Sequence, residues 1–193
     1  MKIGIIGGSF DPVHKGHIEM ALFCRKKFEL DQLMFLPLGD APHKKKIAPK
    51  ELRLKMLEVA LSGLEGCFIS QLELERSGKT YTYDTMRWLR EHTDAEYFYI
   101  IGGDTVNTMH TWYRASDVFS LTEFIVVDRK GVDITEGLIR VQKMGAKLHL
   151  AEYTAPDISS TEIKERVRAG KSIKGMVPAA VLEIIQKYEL YRD

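Results

Sequence analysis

The residues best suited to chemistry lie near the amino terminus, in a segment that reads Gly-Gly-Ser-Phe-Asp-Pro-Val-His-Lys-Gly-His from Gly7 to His17. The glycines allow the backbone to approach a ligand closely. His14 and His17 add two imidazoles three residues apart. The segment follows an apolar run and precedes a helix-period stretch, so Gly16 and His17 fall where a helix begins, with free N–H groups and the positive end of the helix dipole. This arrangement predicts an anion site, for which phosphate is the natural ligand.

The same residues allow other interpretations. The dinucleotide-binding fingerprint needs Gly-x-Gly-x-x-Gly, and the glycines here follow a different spacing, at Gly4, Gly7, Gly8 and Gly16. His14 and His17 could instead be two metal ligands one turn apart, but a zinc site needs a third ligand and none has obvious spacing nearby. They could also be structural histidines that cap a turn.

Apolar runs alternate with helix-period segments through most of the chain, and these elements must position the histidines. Several runs are continuous, which is typical of strands covered on both faces. The predicted strands are residues 2–6, 33–38, 67–72, 97–101, 123–127 and 147–150. The predicted helices are about 16–28, 49–61, 82–91, 104–119 and 133–144. This order predicts an α/β fold, a doubly wound and mostly parallel Rossmann-like sheet with right-handed crossovers.

The carboxy-terminal part of the sequence is predominantly helical. Ser159 and Glu162 have the spacing of a capping box, which predicts a helix start, and Gly170 predicts the end of that helix. The sequence contains no repeat, low-complexity tract or linker. We therefore expect a single domain over residues 1–193, whose helical part covers about residues 158–193.

Composition argues against several classes of protein. Hydrophobic residues make up 45% and charged residues 28%, a globular rather than disordered composition. The formal net charge is +1, which gives no electrostatic reason to expect a nucleic acid or a membrane surface as partner. Cys24 and Cys67 are too few for a disulfide framework, so we expect two core residues in a reducing cytoplasm. The oligomeric state stays open, and a homo-oligomer is compatible with the sequence.

The histidine segment resembles a known signature. His14-Lys15-Gly16-His17 is similar to the His-x-Gly-His of the nucleotidylyltransferase superfamily, and the longer string resembles one family in it, the bacterial nicotinate-nucleotide adenylyltransferases. Further segments resemble that family in the same order along the chain. They are Pro42-His43-Lys44, Arg53-Leu54-Lys55-Met56-Leu57, Tyr81-Thr82-Tyr83-Asp84-Thr85, Gly102-Gly103-Asp104, Thr111-Trp112-Tyr113, Asp128-Arg129-Lys130-Gly131 and Ile158-Ser159-Ser160-Thr161. Their order and spacing together make the resemblance specific.

The resemblance implies an adenylyltransferase of NAD biosynthesis. In the family's reaction, the phosphate of nicotinate mononucleotide attacks the α-phosphorus of ATP and pyrophosphate leaves, so no side-chain nucleophile is required. The protein positions the substrates and stabilises charge. The expected catalytic residues are His14 and His17, both on the ATP phosphates, with His17 the better candidate for the α-phosphate. ATP and nicotinate mononucleotide are the expected partners, and Mg²⁺ is expected to bind through ATP phosphates, with no side-chain ligands.

The resemblance also implies further ATP-binding residues. Gly8, Ser9 and Phe10 would contribute backbone contacts beside the nucleotide, although Phe10 fits core packing equally well. Gly102 and Asp104 would hold the ribose, or Asp104 could simply cap a helix. The remaining contacts would be with phosphates, made by Lys44, Ser160, Thr161 and Lys164.

For the acceptor nucleotide, the resemblance implies a second group of residues. Trp112 would stack on the pyridine ring, with a core tryptophan as the alternative. Thr85 and Tyr113 would present backbone amides to the nicotinate carboxylate. Arg129 would pair with the mononucleotide phosphate, which a planar guanidinium suits well.

The chain departs from the family pattern at three positions. The family usually has arginine three residues after the threonine that matches Thr161; here Lys164 stands there, with Arg166 two residues further on, and lysine cannot make the bidentate contact of arginine. Leu38 and Ala41 replace a common asparagine and a common proline, so the acceptor side of the site can be lined differently.

Three other functions stay open at this point. The same chemistry could act on nicotinamide mononucleotide or on another phosphorylated acceptor such as phosphopantetheine. A nucleotide-binding module without catalysis would bind ligand but release no pyrophosphate. A metal hydrolase with histidine ligands would hold stoichiometric zinc.

Overall fold

One sheet of six parallel strands organises the chain, in the order β3-β2-β1-β4-β5-β6. The computed structural model describes residues 1–39, 47–127, 132–153, 156 and 158–192. The strands are β1 (Lys2–Gly8), β2 (Gln32–Pro37), β3 (Cys67–Ile69), β4 (Glu96–Gly102), β5 (Glu123–Val127) and β6 (Leu148–Ala151). The predicted doubly wound α/β class is confirmed. All six predicted strands exist, although β3 is shorter than expected because the chain leaves the sheet after Ile69.

Helices occupy both faces of the sheet. They are α1 (Lys15–Lys27), α2 (Lys50–Leu61), α3 (Thr82–His92), α4 (Gly103–Val106), α5 (Ala115–Leu121), α6 (Thr135–Lys143), α7 (Ser160–Arg168) and α8 (Ala179–Lys187). Alternate residues of β1 point to opposite faces. Ile6 packs with the apolar side chains of α1, α2, α7 and α8, whereas Ile3 and Ile5 pack with those of α3, α5 and α6. These two layers bury the sheet on both sides.

The predicted helix over residues 104–119 is wrong, because the chain there forms three short pieces. A 3-10 helix (Met109–Thr111) separates α4 from α5. The hydroxyls of Thr108 and Thr111 donate to backbone carbonyls three residues earlier, at 3.1 and 2.7 Å, and such bonds compete with a continuous helix. Arg114 then adopts a left-handed conformation, with φ of 54°, directly before α5. These local bonds interrupt the helix that the apolar spacing predicts.

The first carboxy-terminal helix, α7, begins and ends where the sequence predicts. The side chain of Ser159 accepts a hydrogen bond from the amide of Glu162 at 3.1 Å, so it caps α7. Gly170 follows the end of α7 with φ of +65°, the left-handed conformation that glycine adopts most readily. Among the described helices, none is long and apolar enough to cross a membrane. Cys24 is fully buried in the core, and its burial raises the pKa of the thiol to about 12.

Candidate active site

A cleft of about 280 Å³ opens at the carboxyl ends of β1 and β4. The strand order reverses between these two strands, and ligands of open α/β sheets bind at this switch point. The described residues that line the cleft include Gly7, His14, His17, Thr82, Gly102, Asp104 and Trp112. The cleft therefore brings both histidines together with the ribose pair and the tryptophan that the sequence predicts.

The two histidines lie face to face at the start of α1. Their ring centroids are 3.6 Å apart with an angle of 23° between the planes. The His14 amide donates to Nδ1 of His17 at 3.3 Å, which fixes the orientation of the second ring. Phe10 also contacts His17, edge-on with the ring centroids 5.2 Å apart, and is itself 1% exposed. The imidazoles thus form a preorganised pair, with His17 the more exposed of the two.

Two glycines are needed for this geometry because neighbouring groups occupy the space of a side chain. A Cβ on Gly16 would lie 3.1 Å from Nδ1 of His14 and 3.6 Å from the carbonyl oxygen of Ile158. A Cβ on Gly7 would lie 2.0 Å from the hydroxyl of Tyr99. Glycine at these two positions therefore leaves room for the Tyr99 hydroxyl and for the His14 ring beside the cleft.

The start of α7 is fastened to the histidine segment. The Ser160 hydroxyl donates to the carbonyl of Pro12 at 3.0 Å, so this side chain is used in holding the segment. Thr161 is exposed in the first turn of α7, where helix N–H groups are available to an anion. Neither residue is among those that line the cleft, so their predicted phosphate contacts stay predictions.

The residues that the sequence predicts for the ribose and for the pyridine ring line the same cleft as the histidines. Gly102 ends β4 and precedes α4, and Asp104 is exposed in the first turn of that helix. Trp112 lines the cleft while its ring packs edge-on against Tyr99 and Phe124, each at 6.3 Å. The tryptophan is therefore part of the core and part of the cleft, so the two interpretations of this residue are compatible.

The other predicted acceptor residues do not line the cleft. Thr85 is fully buried, and its hydroxyl donates to Oε1 of Glu73 at 2.8 Å. Its amide donates to the Tyr81 carbonyl at 3.3 Å in the first turn of α3. Tyr113 is 52% exposed, with its ring 4.6 Å from that of Tyr81. Their contacts with a nicotinate carboxylate stay predictions.

Burial raises the pKa of one carboxyl group that interacts with Tyr99, a residue that lines the cleft. Glu73 is 5% exposed, and burial raises the pKa of its carboxyl to about 7, while the Thr85 hydroxyl and Arg76 act in the opposite direction. Glu73 in turn raises the pKa of Tyr99, which is raised mainly by burial. No local pattern in the sequence indicates this carboxylate, because nothing in the chain order predicts that residue 73 meets residue 85.

Lys164 contacts the histidine segment through Asp11. Its ammonium is 3.0 Å from Oδ2 of Asp11, a carboxylate that is 1% exposed. Arg166 is directed elsewhere, donating to the Ser172 carbonyl at 3.0 Å and lying 3.5 Å from Glu162. Of the two basic residues, only Lys164 therefore contacts the histidine segment, and its contact with polyphosphate stays a prediction.

Positive charge at the cleft is carried by few groups. Of the described residues that line it, none is a lysine or an arginine. Two predicted cations, Lys44 and Arg129, lie outside the described residues. Gly8 and Ser9 stand next to the cleft, and the Ser9 carbonyl accepts a hydrogen bond from Arg53 at 2.8 Å. Helix N–H groups and imidazoles are therefore the main anion donors that the described residues contribute.

Comparison with known proteins places the chain in a family. A family model described as cytidylyltransferase-like matches residues 5–166. A protein of Clostridium perfringens (strain 13 / Type A), named a probable nicotinate-nucleotide adenylyltransferase, is 35% identical over 198 residues, covering 99% of this chain and 98% of its own length. A protein of the same name from Streptococcus pneumoniae serotype 4 is 36% identical over 195 residues, covering 98% and 88%.

A solved structure has the same fold. The nicotinic acid mononucleotide adenylyltransferase of Plasmodium falciparum, complexed with NaAD, aligns with a TM-score of 0.83 over 98% of this chain and 97% of its own, at 21% identity. The chain belongs to the cytidylyltransferase-like family of nucleotidyltransferases. Within that family, it belongs with the nicotinate-nucleotide adenylyltransferases, as its identity to them over nearly the whole length shows.

Proposed function

We infer that the protein transfers the adenylyl group of ATP to nicotinate mononucleotide, giving nicotinate adenine dinucleotide and pyrophosphate. The observation that supports this most directly is the stacked pair His14 and His17 in a cleft at the switch point of the sheet. Curated relatives at 35–36% identity carry the name of this activity. The product belongs to NAD biosynthesis.

The reaction is a displacement at phosphorus. A phosphate oxygen of the mononucleotide forms a bond to the α-phosphorus of ATP, while the bond to the bridging oxygen of pyrophosphate breaks and pyrophosphate leaves with that electron pair. Negative charge grows on the leaving and equatorial oxygens. We propose that His17 donates to the α-phosphate in the transition state and that His14 and the N–H groups at the start of α1 hold the remaining phosphate oxygens.

The two nucleosides would be bound by different residues of the same cleft. Gly102 and Asp104 are suited to the ribose of ATP, since a carboxylate accepts hydrogen bonds from two hydroxyls. Trp112 is suited to stack on the pyridine ring of the acceptor. We propose that Lys44 and Arg129 supply cations to the phosphates from the segments around them.

Mg²⁺ is proposed to enter with ATP. Among the described residues, no three histidine, cysteine or carboxylate side chains are grouped so that they could hold a metal. The phosphates of ATP are themselves good oxygen ligands for this ion. The ion, when bound, supplies charge to the polyphosphate, and the histidines orient the α-phosphate beside it.

A pyrophosphate-release assay with ATP, Mg²⁺ and a panel of acceptors tests the function. We expect nicotinate mononucleotide to give the highest kcat/KM, ahead of nicotinamide mononucleotide and phosphopantetheine. A preference for the amide by more than tenfold would reject the proposed acceptor while keeping the chemistry. Binding of ATP without pyrophosphate release for any acceptor would favour a non-catalytic nucleotide-binding module.

The role of His17 has its own test. We expect His17→Ala to lower kcat by about 10²–10³-fold, because it removes one preorganised donor to the transition state. The KM for ATP should change only a few-fold. His92→Ala is the matched control, since His92 is exposed at the end of α3, stacked on Trp88. An unchanged kcat in His17→Ala would contradict the assignment.

The proposal is completed by the compartment, the metal-hydrolase alternative and the oligomeric state. We propose that the reaction takes place in the cytoplasm, where the thiols Cys24 and Cys67 stay reduced. Elemental analysis after dialysis tests the metal-hydrolase alternative, which requires stoichiometric zinc. Light scattering of the purified chain tests whether it forms the homo-oligomer that the sequence leaves open.

A further inference from the structure

A buried carboxylate joins the histidine segment to the carboxy-terminal end of the chain. Asp11 stands three residues before His14 and is 1% exposed. Its Oδ1 accepts hydrogen bonds from the Tyr191 hydroxyl at 2.8 Å and from the Ala48 amide at 3.0 Å, and its Oδ2 accepts one from Lys164 at 3.0 Å. A carboxylate removed from water needs such donors to remain charged. These three donors come from three parts of the chain that are distant in sequence.

The backbone on either side of Asp11 is also held. The carbonyl of Ser9 accepts from Arg53 at 2.8 Å, and the carbonyl of Pro12 accepts from Ser160 at 3.0 Å. The amide of Lys15 donates to the carbonyl of Met176 at 2.9 Å. The stretch from Ser9 to Lys15 is therefore fixed at several points, and the side chain of Asp11 adds donors from three other segments.

We propose that Tyr191 is a positioning residue for the reaction: its hydroxyl fixes Asp11, and Asp11 fixes the turn that presents His14 and His17 to the phosphates. Tyr191 is not among the residues that line the cleft, so it would act through the turn alone. The inference rests on the proposed adenylyl transfer.

The chemistry of the Tyr191 hydroxyl suits this role. Burial and the negative charge of Asp11 both raise the pKa of this hydroxyl, so it keeps its proton and donates throughout the working range of pH. Tyr191 lies shortly after α8. Its bond to Asp11 ties the segment after α8 to the turn that carries the histidines.

The expected effect follows from the demands of positioning. Misplacing a catalytic group by about 1 Å can lower a rate by about 10²-fold. Loss of the Tyr191 hydroxyl leaves Asp11 with its bonds to Ala48 and Lys164, so we expect a smaller displacement and about a tenfold loss of kcat. The KM for ATP should stay within about twofold, since the binding groups themselves are retained.

Tyr191→Phe tests this, with Tyr188→Phe as the matched control. Tyr188 lies at the end of α8, is 41% exposed, and accepts a hydrogen bond from Lys55 at 3.3 Å on the surface. Both variants are assayed for kcat and KM after melting curves show that they are folded. We expect the tenfold loss of kcat in Tyr191→Phe only. An unchanged kcat in Tyr191→Phe would overturn the proposal.

A double-mutant comparison separates positioning from a general loss of fold. In a His17→Ala background the proposed donor to the α-phosphate in the transition state is gone, so Tyr191→Phe should lower the remaining kcat by less than twofold. A tenfold loss in both backgrounds would assign the effect to folding or to another part of the site, and the positioning role would be rejected.

A spectroscopic readout keeps this test independent of catalysis. The histidine ring signals in ¹H–¹⁵N NMR spectra of the full chain report directly on His14 and His17. We expect them to shift in Tyr191→Phe and to stay in place in Tyr188→Phe. Unmoved signals in both variants would overturn the proposal. A wild-type protein that releases no pyrophosphate with any acceptor would reject the proposed function, and the NMR result would still decide whether Tyr191 positions the histidines.

Discussion

Replacing Gly7 by alanine should crowd the floor of the cleft. An added Cβ would lie 2.0 Å from the Tyr99 hydroxyl oxygen and 2.9 Å from the ring carbon that carries it, closer than the 3.0 Å that real Cβ atoms respect. The hydroxyl must therefore move by about 1 Å. Tyr99 is buried and packs against Trp112 and Phe124, so there is little room for that movement. Overpacking of this kind costs about 1–3 kcal/mol.

We expect Gly7→Ala to lower the free energy of unfolding by about 2 kcal/mol, which for a chain of this length corresponds to a fall in melting temperature of about 4–8 °C. Thermal unfolding followed by circular dichroism measures it. Gly8→Ala is the control, because its Cβ would meet the Phe10 ring at an ordinary 3.6 Å. The free energy of unfolding of Gly8→Ala should remain within about 0.5 kcal/mol of the wild-type value.

A second substitution tests the cause assigned to the Gly7→Ala effect. Tyr99→Phe removes the oxygen with which the new methyl group collides, and by itself should cost about 1 kcal/mol through the lost hydrogen bond with Thr82. If the collision is the cause, Gly7→Ala should lower the free energy of unfolding less in the Tyr99→Phe protein than in the wild type. The difference between the two losses should be about 1 kcal/mol or more. Strictly additive losses would refute the reasoning.

Three further predictions concern buried or capping groups. Because burial raises the pKa of Glu73 from 4.5 to about 7, the folded state retains a proton that the unfolded state releases, and stability falls as pH rises through this range. The free energy of unfolding of Glu73→Gln, measured by urea titration, should therefore equal that of the wild type near pH 4.5 and exceed it by about 3 kcal/mol at pH 8. Glu75→Gln, which changes an exposed carboxylate, should leave the pH dependence of stability unaltered. Ser159→Ala should lower the free energy of unfolding by about 1 kcal/mol, since it removes the cap on the Glu162 amide, and Ser159→Asp should restore it in the same melting experiment. Arg53→Met should lower the free energy of unfolding by about 3 kcal/mol or more in a denaturant titration, because it leaves buried carbonyls without their donor. A loss under 1 kcal/mol would contradict this explanation.

Local patterns were sufficient to predict the sheet and the location of the cleft. Apolar runs of strand length alternate with helical periods, and parallel strands connected in that way bring their carboxyl ends to one edge. The histidine segment after β1 and the Gly102–Asp104 segment at the end of β4 were therefore predictable neighbours. The cap at Ser159 was equally predictable, since its partner is three residues away.

Patterns of local spacing failed where hydroxyl groups competed with the helix. The apolar residues between 104 and 119 have helical spacing, yet Thr108 and Thr111 bond back to carbonyls and the chain breaks into three pieces. Periodicity records which positions are apolar. It carries no information on which local hydrogen-bonding pattern prevails once the segment packs.

The sequence by itself determined the class of fold, the edge of the sheet where the cleft opens, and the two histidines that line the cleft, because each depends on residues that are close along the chain or on the general rules of parallel sheets. Only the tertiary structure decided that Arg53 lies buried on three carbonyls and that Tyr191 bonds to Asp11 across 180 positions. Such contacts depend on how separate segments approach one another when the core closes. A lone arginine or tyrosine has the same appearance in sequence whether its polar end meets water or a buried partner.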